Sequence, residues 1–212
     1  MSFAIFDYRT DIRNLFVTPQ IRARFLRMEP GQVAARHSHD LGHEIFLILQ
    51  GRCVFEIDGA ERELGPGQLC VARANQPHQV RCTSEEPLIM YLSVTPHVQP
   101  THTGRTPAGE RHPVRFMPSS AYDVETDSAT PVPLLIERFA ETAENLARAA
   151  RRSADLQRQA GARLAGALAA GDTEAAEESR ARMWEELRET FVALYALADR
   201  WNELAPRAGK TG

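Results

Sequence analysis

Between Gly31 and Gly51 the chain reads Gly31-Gln-Val-Ala-Ala-Arg-His37-Ser-His39-Asp-Leu-Gly-His43-Glu44-Ile-Phe-Leu-Ile-Leu-Gln-Gly51. On a strand, His37 and His39 are two positions apart and share a side, so their imidazoles converge. A short turn then brings Glu44 to the start of the following antiparallel strand, where its carboxylate faces the same point. His78, behind Pro77 at the start of a later strand, adds a further neutral imidazole. Three nitrogens and one carboxylate suit a borderline divalent metal. Two open coordination positions favour octahedral Fe, Mn, Ni or Co over closed tetrahedral structural zinc. The expected cofactor is a divalent metal ion, Fe, Mn, Ni or Zn. The same four groups buried without an ion would be unpaired and costly.

The elements that must hold these residues are short strands. Up to about Val98 the chain runs in alternating stretches punctuated by Gly, Pro and Asp, the pattern of β-structure with tight turns. Ile21 to Phe25 alternates, Glu44 to Gln50 is a nearly continuous apolar strand, and Cys53 to Ile57 alternates again before Asp58-Gly59, a strong hairpin signal. Further strands are expected at Gln68 to Ala72, His78 to Cys82 and Leu88 to Val94. Many short strands with no helix among them mean a sandwich or barrel. By parity, Phe46, Ile48 and Gln50 share the face of Glu44, and Val80 and Cys82 that of His78. This predicts a mostly apolar cavity toward which parity forces no Arg or Lys, suited to a small, weakly polar or carbonyl-bearing compound. Tyr91, on the last barrel strand, is within reach of the interior.

The rest of the chain changes character. Residues 99–133 hold six prolines among Thr, Gly and Ser and read as an extended linker. From Leu134 to Ala205 no proline occurs and Ala, Glu, Arg and Leu dominate, which reads as helix. Gly171-Asp172 divides this into two segments, about 134–170 and 173–205, forming an antiparallel helical hairpin before a tail at 206–212. Trp184, Leu187, Phe191, Leu194, Ala198, Trp201 and Ala205 fall on alternating steps of three and four, a heptad seam. Helices of on the order of 50 Å at 1.5 Å per residue outreach a small barrel, so part of the seam needs another surface. A partner chain, giving a four-helix bundle across a homodimer, is one such surface, and the chain's own barrel is the alternative.

The stretch from Gly31 to Gly51 resembles the first motif of the cupins, G(X)5HXH(X)3-4E(X)6G, at every specified position. The second motif, G(X)5PXG(X)2H(X)3N, is matched less fully from Gly67: its histidine falls on His78, but Arg73, Asn75 and Cys82 stand where the family has Pro, Gly and Asn. Asn tolerates the left-handed conformation that Gly supplies there. The resemblance covers about residues 20 to 95. It implies a jelly-roll barrel of six to eight strands with a metal inside, held by His37, His39, Glu44 and His78. The fold class is therefore mainly β, a cupin-type barrel over residues 1–98 followed by the linker and the helical hairpin.

The remaining candidates carry blander expectations. His43 neighbours Glu44 and faces the other way. His97, His102 and His112 lie at or beyond the barrel's end and read as solvated loop residues unless the linker folds over the mouth. Cys53, Cys70 and Cys82 lack CxxC spacing and read as packed small hydrophobes in a reducing compartment, with the cytoplasm as default. The 28 acidic residues against 24 Arg and one Lys, Lys210, give no bulk attraction to nucleic acid. No apolar run is long enough to span a membrane. Two functions remain: a metal-dependent enzyme of dioxygenase, isomerase or lyase type acting on a small molecule, with no catalytic base assigned, or a non-catalytic module that senses or stores a small molecule or metal and assembles through its helices.

Overall fold

A computed structural model describes residues 3–125 and 127–209. Lys210 and the end of the expected tail lie outside the described residues. The chain forms two compact units, one reaching to Asp127 and taking up the stretch from Ala205, the other running Ser128–Leu204.

The first unit contains β1 (Asn14–Val17), β2 (Arg22–Met28), β3 (His37–Ser38), β4 (His43–Gln50), β5 (Cys53–Ile57), β6 (Ala60–Leu64), β7 (Leu69–Ala72), β8 (His78–Cys82), β9 (Leu88–Thr95) and β10 (Thr103–Gly104). They form two five-stranded antiparallel sheets, ordered β1-β2-β9-β4-β7 and β10-β3-β8-β5-β6. Followed by a helical pair, this is the mainly β fold the sequence predicts. Alternation sets the inward face of each strand: Glu44, Phe46 and Ile48 of β4 and His78, Val80 and Cys82 of β8 are buried. Phe46 and Phe55 meet across the core with ring centres 4.6 Å apart. These apolar residues pack with Met28, Leu88, Met90 and Leu92 as one core. They pack beneath the four polar groups, so the side chains sharing the faces of Glu44 and His78 are apolar, as parity predicts.

The tight turns follow local chemistry. Asp58 and Gly59 have φ of 53° and 80° and join Ile57 to its partner Ala60, the primed turn that Asp-Gly favours. Asn75 takes up φ of 64° before His78, so it does adopt the left-handed conformation expected of it. Gly51 ends β4 at φ of 76°, and a Cβ there would come within 2.9 Å of the Pro87 carbonyl oxygen.

Strand number exceeds the six to eight expected because β1 and β10 are short edge elements with no periodicity of their own. Residues 99–127, expected as linker, lie within the first unit. Thr103 and Gly104 pair with Ser38 and His37. The Gln99 side chain donates to the Met117 carbonyl at 2.7 Å and accepts from the Met117 amide at 3.1 Å. Asp123 accepts from both the amide and the side chain of Asn14, each at 2.9 Å. Prolines remove donors and exclude helix. They do not stop the remaining polar groups from finding partners.

The second unit is α1 (Val132–Ala170) and α2 (Thr173–Leu204). Gly171 closes α1 in the left-handed conformation, with its own amide and that of Asp172 returning to the Leu168 and Ala167 carbonyls. The Asp172 carboxylate then accepts from the Ala175 amide at 3.1 Å and caps α2. The helices run antiparallel: Phe139 meets Trp201 at 5.6 Å, Arg152 Nε lies 3.1 Å from Glu186, and Gln157 donates to the Met183 carbonyl at 2.8 Å. Buried Ala149, Ser153, Ala160, Ala176 and Ser179 carry the close approach. Trp184, Leu187, Phe191 and Leu194 remain exposed. No helix among the described residues is long and apolar enough to cross a membrane.

Candidate metal centre

Two facing strands and one neighbour bring the four candidate ligands together. In sheet register, His37 on β3 stands opposite His78 on β8, and Glu44 on β4 enters from the other sheet. One ligand atom from each of His37, His39, Glu44 and His78 lies within 4.8 Å of the others, as a shared metal ion requires. Oε2 of Glu44 is the focus, with Nε2 of His39 at 2.7 Å, of His78 at 3.0 Å and of His37 at 3.7 Å. Glu44, His39 and His78 are almost fully buried, and His37 is partly exposed.

The far side of each imidazole is tied to the backbone. Nδ1 of His37 faces the Ala35 carbonyl at 2.9 Å, Nδ1 of His78 the Gln76 carbonyl at 2.9 Å, and Nδ1 of His39 the Thr101 carbonyl. A carbonyl oxygen only accepts, so each Nδ1 carries the hydrogen. In the neutral ring Nε2 is then a bare lone pair, and all three aim at a carboxylate oxygen that is itself an acceptor. Acceptors packed around an acceptor repel unless positive charge sits among them. An extra proton on His78 is a poor source, because burial pushes its pKa down. A carboxylate and three Nε2 lone pairs on one point fit a divalent cation, and the carbonyl contacts fix the tautomer such coordination needs.

Several expectations about neighbouring residues change. His102 is not a solvated loop residue: its ring centre lies 4.7 Å from that of His37 and 4.9 Å from that of His39. His97 is buried, within 3.1 Å of Thr101 Oγ1 and against the Tyr122 ring, and burial pushes its pKa down to about 3. Both come into place because residues 99–127 fold onto the barrel, which composition alone does not reveal. His43 is exposed, as expected, and its Nδ1 accepts from the Ala74 amide at 3.1 Å. Tyr91 faces away from the centre: it stands opposite Leu47, not Glu44, and packs edge-on against Phe25. Cys53 and Cys82 are buried and Cys70 is half-buried, all free thiols. Burial pushes Cys53 and Cys70 up to about 12, so they are packed groups and not nucleophiles.

One buried charged residue beside the cluster escaped the sequence reading. Arg22 is almost fully buried with Nη2 3.9 Å from Glu44 Oε1, an inward arginine that the parity reading did not call for. Its signal lay in β2: Leu26 and Met28 share its parity, and they face the core.

Two antiparallel sheets closed over an inward-facing histidine and carboxylate cluster define the double-stranded β-helix class. Residues 24–95 match the cupin domain family, and the barrel belongs to the cupin superfamily. The chain is similar to a Klebsiella pneumoniae protein with a double-stranded β-helix domain, at 22% identity over 45% of this chain and 91% of that one, with a TM-score of 0.43. It is also similar to KdgF from a Halomonas species, at 24% identity over 40% and 77% with a TM-score of 0.38. A sugar phosphate isomerase of Silicibacter pomeroyi is 26% identical over 41% and 55%, with a TM-score of 0.36. No curated protein matches the chain.

Proposed function

We propose that the chain is a cupin-barrel protein whose His37, His39, Glu44 and His78 hold a divalent metal, Fe, Mn, Ni or Zn, at an open site that binds a small molecule. The observation that carries this is the set of three Nδ1 contacts to backbone carbonyls, which leave three Nε2 lone pairs facing one carboxylate oxygen. An ion bound there would supply Lewis acidity to an oxygen ligand, or redox chemistry if it is iron or manganese. Among these metals, the nitrogen-rich set with room for further ligands favours octahedral iron, manganese or nickel over zinc. His102, beside His37 and His39, stands where it would meet a molecule in the barrel mouth. The reading is of an enzyme of dioxygenase, isomerase or lyase type. The exposed heptad seam on α2 favours a second element of function, assembly with another copy of the chain through a four-helix bundle, which suits a sensing module equally. Three free thiols support a reducing compartment such as the cytoplasm.

Metal content of protein purified without chelators, measured by plasma mass spectrometry beside His37→Ala and Glu44→Ala, tests the reading. Near one metal per chain in the parent and far less in both variants supports it. A parent that takes up none of Fe, Mn, Ni or Zn overturns it.

A further inference from the structure

We infer that Arg22 makes the barrel site selective for a small carboxylate, one whose adjacent carbonyl or hydroxyl oxygen lies next to the metal ligands. This rests on the metal reading above and names the class of molecule that the same site takes.

The placement follows from register. Arg22 on β2 stands opposite Val94 on β9, and Val94 stands opposite Glu44 on β4. Residues in one row of adjacent strands share a face, so Arg22 reaches into the barrel from the strand next but one to the carboxylate ligand. Its side chain is 3% exposed. The guanidinium rides over the Tyr122 ring at 5.3 Å, and the Tyr122 hydroxyl lies 3.5 Å from Thr101 Oγ1. Stacking on an aromatic face orients the planar group and leaves its edges free for hydrogen bonds.

Those edges are unmatched. Among the described residues Nε of the Arg22 guanidinium is a buried donor without a hydrogen-bond partner. The nearest anion, Glu44 Oε1, is 3.9 Å away, beyond hydrogen-bond reach. A buried cation with unsatisfied donors is costly. Glu44 is moreover the group that the metal claims. A divalent ion on that carboxylate converts it from a counter-charge into part of a net positive centre, so Arg22 and the ion then share a need for a further anion. Arg24, two positions along the same face, also has a buried Nε without a partner, but it is only half-buried and lies in the field of Asp123. One guanidinium with its fork open matches the two coplanar oxygens of a carboxylate.

Calorimetric titration of the full chain tests this in two stages. MnCl2 alone reads the metal site, and pyruvate, 2,3-butanedione and inorganic phosphate are then titrated into the Mn-loaded protein. Pyruvate and butanedione offer the same carbonyl and differ in charge. The parent is expected to bind pyruvate tighter than either competitor by about tenfold or more, the scale of a charge-assisted hydrogen bond. Arg22→Met is expected to lose that preference while its Mn stoichiometry is kept. Arg22→Lys, with the charge but not the fork, is expected to fall between and serves if Arg22→Met does not fold. A parent that binds butanedione as well as pyruvate, or prefers phosphate, overturns the inference, as does a folded Arg22 variant with the parent's preference. A parent that takes up no Mn or other divalent metal overturns the metal reading, and this inference with it.

Discussion

His39 turns its Nδ1 hydrogen toward the carbonyl of Thr101, a residue 62 positions further along the chain. One candidate ligand thus takes its orientation from a segment beyond residues 24–95, the part of the chain that matches the family. That segment is held to the barrel by a few side chains, and they are open to test.

Asp40 is the first of them. Its Oδ1 accepts from Thr103 Oγ1 at 2.8 Å and its Oδ2 lies 3.3 Å from Arg111 Nη1. Asp40→Ala removes both anchors, at a cost of about 1 kcal/mol or more, and loosens residues 99–111. Tryptic cleavage after Arg105 and Arg111 is expected to quicken under native conditions while the barrel stays folded. An unchanged digestion rate would show that backbone pairing alone holds the segment.

Glu56 gives a pH signature. It pairs through both oxygens with both Nη atoms of Arg36, next to His37, and this contact holds its carboxyl below the ordinary value of 4.5. The folded state therefore binds fewer protons than the unfolded chain between the two values. Its stabilisation is complete above the ordinary value and is lost as the pH falls through the lowered one. Glu56→Gln is expected to be less stable than the parent by about 1 kcal/mol at pH 7 in urea unfolding. The two should converge in acid, and a gap that persists unchanged at pH 3 rules out the pair as its source.

The exposed seam of α2 predicts the assembly state. Leu187 and Phe191 are 40% and 47% exposed in the single chain, a poor place for large apolar groups at heptad spacing. Light scattering is expected to give a dimer for the parent and a monomer for Leu187→Glu with Phe191→Glu, with helicity retained by circular dichroism. A monomeric parent would remove the second copy as the seam's cover.

The legible part of the molecule was the part written locally. His37 and His39 are related by strand parity, Glu44 by one turn, and Asp58-Gly59 and Gly171-Asp172 carry their turn chemistry in adjacent residues. Arg22 was missed, and His102 left undecided, for a common reason. Their positions depend on which distant strand each segment joins, and Ile21-Arg-Ala-Arg-Phe25 alternates equally well with either set turned inward.

β10 has a consequence for the barrel's surroundings. β3 is two residues long, and without β10 its amides and carbonyls would line an open sheet margin beside His37. Such margins invite strands from other molecules. By pairing Thr103 and Gly104 with Ser38 and His37, the chain spends two residues on closing that margin itself, so the histidine strand is withheld from self-association and the sheet stops growing where its chemistry begins.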